Sequence, residues 1–144
     1  MGKLTHDIYV DSQKIPEDFA DDLAAILDVE LVKVTGDEVD FVTNPEFHFY
    51  ITYPSEDDPI WLRIGRNISV YDDEEDLYNK NYPYQIEVGS EANTNHEKLS
   101  GVAAREIFEK LKATHRYPLV LQYLSDEPAL DTFEPTKDNS SKAG

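Results

Sequence analysis

Apolar residues recur along this chain with two periods, and their succession predicts an ordered series of short elements. Ile8 and Val10 alternate with Asp7 and Tyr9, which predicts a first strand over residues 7–10. Pro16 suits the first turn of a helix, where its missing N–H costs nothing, and Glu17 and Asp18 complement the positive end of the helix dipole. Phe19, Leu23, Ile26 and Leu27 follow at helical spacing, so a helix is expected over about 16–28, with Asp18, Asp21, Asp22 and Asp28 on its other face. The β-branched run at 29–34 reads as a strand, Gly36-Asp37 as a turn and 39–43 as another short strand. In 47–53, Phe47, Phe49 and Ile51 share one face and His48, Tyr50 and Thr52 the other. Ile60, Leu62 and Ile64 alternate with Trp61 and Arg63. Gly65-Arg66-Asn67 interrupts that run, Ile68 and Val70 resume it, and 84–88 forms a further strand.

A polar linker at 89–95 leads to the clearest stripe in the chain, Leu99, Val102, Ala103, Ile107, Phe108 and Leu111. It predicts a helix over about 96–113, capped by Thr94 or Asn95. Strands at 117–124 and around 130–133 close the domain. Residues 134–144 read as a disordered tail, leaving one domain over 1–133. Consecutive strands joined by short turns exclude the β/α alternation of a parallel sheet. The expected fold is a single α+β domain: a mainly antiparallel meander of about five to seven strands with two amphipathic helices covering one face. The opposite face is expected to carry Trp61, Tyr50, His48 and Arg63, either solvated or as a docking surface.

Composition supports one globular domain: 144 residues, 40% hydrophobic and 11% aromatic. No apolar run is long enough to cross a bilayer, and the N-terminal residues show neither a secretory h-region nor a myristoylation pattern, so the expected location is the cytoplasm. The absence of cysteine excludes disulfides, thiolate catalysis and cysteine-ligated metals. The formal net charge of −17 is unevenly spread: residues 1–54 hold 12 acids and 3 bases, 55–91 hold 10 and 3, and 92–144 hold 8 and 7. Such a field repels phosphate backbones and anionic membranes and attracts basic proteins.

No reaction is legible in the motifs. The histidines at 6, 48, 96 and 115 show no metal-ligand spacing, and only His48 lies in a strand beside aromatics. No acid is embedded in an obvious apolar run, as a raised-pKa general acid requires. The run at 72–76 lacks the alternation and glycine of a calcium loop. No metal, cofactor or catalytic residue is therefore expected. Acids do meet tyrosines in the loops at 54–59 and 71–83. Tyrosines bury large area at small entropic cost, and acids around them steer a cationic partner. The expected partner-binding residues are Glu56, Asp57, Asp58, Tyr71, Asp72, Asp73, Glu74, Glu75, Asp76 and Tyr78.

Three segments, PEDFADDLAAILDVELVKV, EFHFYITY and GVAAREIFEKLKATHRYPLVLQYL, give the chain a layout over roughly residues 7–133 that resembles the small acidic immunity proteins of bacterial polymorphic toxin systems. The resemblance implies stoichiometric inhibition of a toxin, often a basic nuclease, without catalysis, and it carries no site residue. The expected function is thus a non-catalytic acidic protein that neutralises a basic protein partner. A DNA mimic would use the same acids spaced like phosphates along an extended face. A small enzyme or ligand carrier would instead use a pocket between sheet and helices, with His48 or an isolated Glu in it.

Overall fold

A computed structural model describes residues 5–34, 49–54, 57–66, 82–92, 94–123 and 129–135. Along the chain lie β1 (His6–Val10), α1 (Pro16–Leu27), β2 (Val32–Val34), β3 (Phe49–Ile51), β4 (Ile60–Arg66), β5 (Tyr84–Ser90), α2 (His96–Thr114), β6 (Leu119–Tyr123) and β7 (Ala129–Phe133). The expected α+β architecture is what the chain adopts: among the described residues, two helices and one antiparallel sheet of seven strands. The expected strands at 39–43 and 68–70 lie outside the described residues, as does His48. Gly65 and Arg66 prolong β4 rather than ending it.

The sheet order is β2-β3-β4-β5-β1-β6-β7. Strands β2 to β5 form the meander, and β1 is inserted between β5 and β6, pairing with both over all five of its residues. Antiparallel pairing throughout makes β1 parallel to β2 and β5 parallel to β6, so α1 and α2 are both crossover helices. One crossover leaves an upward strand leftwards and the other a downward strand rightwards. A half-turn in the plane of the sheet interconverts those two senses. Crossovers share one hand in nearly all proteins, and here that rule places both helices on the same face.

The helix-facing side chains form one cluster. Ile8, Val10, Leu62, Ile64, Tyr84, Ile86, Val88, Leu119 and Leu121 come from the sheet, and Phe19, Leu23, Leu27, Ala104, Phe108 and Leu111 from the helices. Phe19 stacks on Tyr84 with centroids 4.1 Å apart and meets Tyr117 edge-on at 5.7 Å, both favoured aromatic geometries. The Tyr84 hydroxyl donates to the Lys14 carbonyl at 2.5 Å, so the aromatic layer also ties down the entry to α1. Asp22, at the margin of α1, accepts from Arg116 Nη1 at 2.5 Å and from the Tyr117 hydroxyl. Burial alone would push the Asp22 carboxyl up. The Tyr117 and Arg116 hydrogen bonds outweigh it and hold the group below the usual carboxylate range.

Helix ends follow local chemistry with one departure. Pro16 opens α1, and Asp28 closes it in the left-handed region at φ 57°, which a short polar side chain tolerates. Asn95 does occupy the N-cap of α2, yet at φ 58° its side chain makes no capping bond.

Two sequence expectations about faces are corrected. Tyr50 belongs to the helix-side cluster, because it is the register partner of Ile64. Trp61 and Arg63 do lie on the second face, but at its centre that face is neither solvated nor open: Asp7, Tyr9, Val120 and Gln122 are all buried. On the same face the Trp61 indole lies over its cross-strand partner Gly89, where an added Cβ would overlap the ring. Gly89→Ala is therefore expected to destabilise the fold by about 1–3 kcal/mol through overpacking, read as a lower urea midpoint at unchanged m-value.

Candidate functional site

Where α1 ends, Asp28 turns the chain and residues 29–31 lead it to β2 at the sheet edge. The helices, the edge strands, residues 52–53 and residues 58–60 leave a cleft of about 560 Å³ there. Its floor is apolar: Leu27, Val29, Ile60, Leu62, Ala103 and Ile107. Its rim is charged, with Glu30, Asp58 and Glu106 against Lys110. Local hydrogen bonds set the loop side. Thr52 exchanges bonds with Leu62 through its amide (3.1 Å) and its hydroxyl (3.0 Å), which carries the ladder past Ile51 and delivers Tyr53 to the mouth, 68% exposed. Asp58 Oδ1 accepts the Ile60 amide at 3.2 Å and orients the turn into β4.

The helix side comes from a rotation of α2 that the sequence stripe misplaces. The buried positions are Ser100, Ala104, Ile107, Phe108 and Leu111, while Leu99 and Val102 are 38% and 52% exposed. The ring of His6 fixes this rotation. Its Nδ1 lies 3.0 Å from Ser100 Oγ, and Gly101 packs so closely on it that a Cβ would stand 3.1 Å from Nε2. Helical spacing then sets Leu99, Val102, Ala103, Glu106 and Lys110 along one flank, of which Ala103, Glu106 and Lys110 line the cleft.

Among the ten expected partner-binding residues, the structure places two. Asp57 and Asp58 are both exposed, and Asp58 lines the cleft. Glu56, Tyr71, Asp72, Asp73, Glu74, Glu75, Asp76 and Tyr78 lie outside the described residues. Sequence reasoning missed Tyr53, Glu30 and Glu106. Tyr53 directly precedes the acidic loop at 54–59 and was legible from that position. Glu30 and Glu106 reach the rim only through the chain's three-dimensional path.

A second cluster crosses the middle of the other face. Arg63, Glu87, Asp7 and Gln122 are successive register partners over β4, β5, β1 and β6. Arg63 pairs with Glu87, and Gln85 Nε2 donates to Asp7 Oδ1 at 3.2 Å. Burial and, next, the neighbouring Glu87 charge push the Asp7 carboxyl up to about 7, against the pull of the Gln85 hydrogen bond and Arg63. Asp7 is the acid set among apolar neighbours that the sequence reading did not recognise: Ile8, Tyr9 and Val10 follow it on a strand buried on both faces. At 6% exposure it is closed to a substrate.

A third arrangement resembles a nucleophile with its base. Ser100 Oγ meets His6, and Tyr123 stacks on the His6 ring at 4.4 Å while donating to Glu97 Oε2 at 2.6 Å. Ser100 is fully buried and donates its proton to the Glu97 carbonyl at 3.1 Å, so its oxygen accepts from His6. A hydroxyl so committed and enclosed is a strut, not a nucleophile. Among the described residues no group of His, Asp and Glu could hold a metal ion, and no helix is long and apolar enough to cross a membrane.

No family model, curated protein or solved structure matches this chain.

The Asp7 carboxyl carries a pH signature. Between its ordinary 3.8 and about 7 the folded chain holds a proton that the unfolded chain has released. Its contribution to stability therefore falls as the pH rises through that window and is level above it. Asp7→Asn removes the cost of the buried charge. The variant should match wild type near pH 4 and gain up to about 4 kcal/mol on it by pH 8, as measured by urea denaturation across pH.

Proposed function

We propose that this chain is a non-catalytic acidic binding protein that neutralises a basic protein partner, docked in the cleft between α2 and the Tyr53 and Asp58 side. The observation that carries this reading is the pairing of an apolar floor with a carboxylate rim and the exposed Tyr53 at the mouth. An apolar floor offers a protein side chain somewhere to be buried, and the three rim carboxylates penalise any partner that is not cationic there. The same floor favours a protein binder over a DNA mimic, which needs carboxylates on a surface and no apolar recess. A net charge of −17 supplies the long-range attraction. In the form implied by the likeness to immunity proteins, the partner is a bacterial toxin such as a nuclease, held stoichiometrically in the cytoplasm.

Capture from source cells at low and high salt, followed by mass spectrometry, identifies the partner. Its expression alone should arrest growth, and co-expression of this chain should restore growth. With that partner, Glu30→Gln/Asp58→Asn/Glu106→Gln is expected to lower the association rate at low salt by about tenfold and to flatten its salt dependence. Tyr53→Ala is expected to act on dissociation, costing roughly 2 kcal/mol. Wild-type kinetics in both variants, or a partner of acidic charge, would exclude the cleft as the docking surface. Neutralising the acidic run at 72–76 should slow association without changing dissociation, as stopped-flow mixing at two salt concentrations would show.

A further inference from the structure

On the other side of the 29–31 segment lies a second cleft, of about 470 Å³, that shares Val29 and Glu30 with the first. Its wall on α1 carries Glu17 and Asp21, one helical turn apart, and its wall on the sheet carries Lys33 and Tyr50, which are cross-strand partners. Glu17, Asp21 and Glu30 are exposed carboxylates, and none of them forms an ion pair among the described residues. Lys33 lines the same cleft but forms no ion pair with them.

A collection of surface carboxylates would mean little by itself, and Tyr50 is what makes this one specific. Its side chain is 8% exposed and lines the cleft, and its hydroxyl has no hydrogen-bond partner among the described residues. Nor is that hydroxyl sealed off among the enclosed polar atoms, so it opens where the cleft does. Burial first, and then the charges of Glu17 and Asp21, push the phenol above its usual range, so these carboxylates act on this ring. A phenol hydroxyl that opens into a cleft with no protein partner is available to accept from or donate to a ligand there.

We infer that this second cleft is a subsite for one arginine side chain of the basic partner, its guanidinium bridging Tyr50 Oη and the Glu17 and Asp21 carboxylates. A guanidinium presents five N–H donors in a planar fork that two carboxylates and a phenol oxygen can share, whereas an ammonium is a compact point charge with three donors. The two clefts then read the partner together: the first buries an apolar side chain, and the second, across the 29–31 ridge, pairs a cation. This subsite presupposes the basic partner proposed above. A small probe tests it separately, so loss of the probe signal and loss of binding in the first cleft are different results.

The probe is Nα-acetyl-arginine-N-methylamide, titrated into the intact chain and followed by ¹⁵N–¹H NMR, with the lysine and citrulline derivatives as parallel arms. Saturable shifts are expected at Ala20, Ala24, Leu31 and Tyr50. Citrulline, similar in shape but uncharged, should give none, and lysine should bind several-fold more weakly. Tyr50→Phe should weaken the arginine probe by about fivefold, and Glu17→Gln/Asp21→Asn should abolish its saturable shifts. Shifts that never saturate and spread over acids elsewhere, equal response to citrulline, lysine binding as tight as arginine, or an unaffected Tyr50→Phe variant would each overturn the assignment. Thermal melts of both variants at wild-type values establish that the fold is intact.

Discussion

Strand β1 is the constraint on which the rest of the structure depends. It is hydrogen-bonded along both edges, to β5 and β6, and buried on both faces. Its helix side supplies Ile8 and Val10 to the main cluster and His6 to the rotation of α2. Its other side supplies Asp7 to the polar row and the buried Tyr9. With β1 in the middle, the chain must leave it by one crossover and pass over it by another. A common hand then loads both helices onto one face. The cleft at the β2–β4 edge is a consequence: α1 and α2 approach one another over the sheet, and the recess between α2 and the edge strands stays open.

His6 and Asp7, neighbours on β1, respond to pH in opposite senses. Burial pushes the His6 ring below its usual range, partly offset by Glu97, so its contribution falls as the pH drops below 6.5. The Asp7 contribution falls as the pH rises towards 7. Below pH 6.5, where the two windows overlap, these opposing slopes offset one another; between 6.5 and about 7 the Asp7 loss acts alone, and titration of the surface carboxylates is superimposed on both.

The charge imbalance is resolved by the fold into acids that hold the structure and acids that remain available. Asp22 is engaged by Arg116 and Tyr117, Asp131 by Arg105 at 2.6 Å, and Glu87 by Arg63. Two of these three cations belong to the near-neutral C-terminal third, where they join α2 to β7 and the turn after α2 to α1. Glu17, Asp21, Glu30 and Glu106 form no ion pair among the described residues and concentrate around the two clefts. Exposed pairs contribute little to stability, so Arg105–Asp131 and Arg116–Asp22 fix which acids are matched more than they strengthen the fold.

Periodicity alone determined the two helices and the strands at 7–10, 60–64 and 84–88, because alternation and the helical stripe follow from backbone geometry and need no long-range information. Composition by itself determined the acidic field. Only the tertiary structure decided that β1 lies between β5 and β6, since strand order depends on pairing between segments far apart in sequence. It also decided that Tyr50 faces the helices. An alternating strand defines two faces, but which one is covered depends on the register with Ile64. The same holds for the rotation that leaves Leu99 and Val102 exposed, which the contact of His6 with Ser100 and Gly101 imposes across 94 residues of chain. The clefts belong to this second class: Glu30, Asp58 and Glu106 are scattered along the sequence, and only packing brings them to one rim.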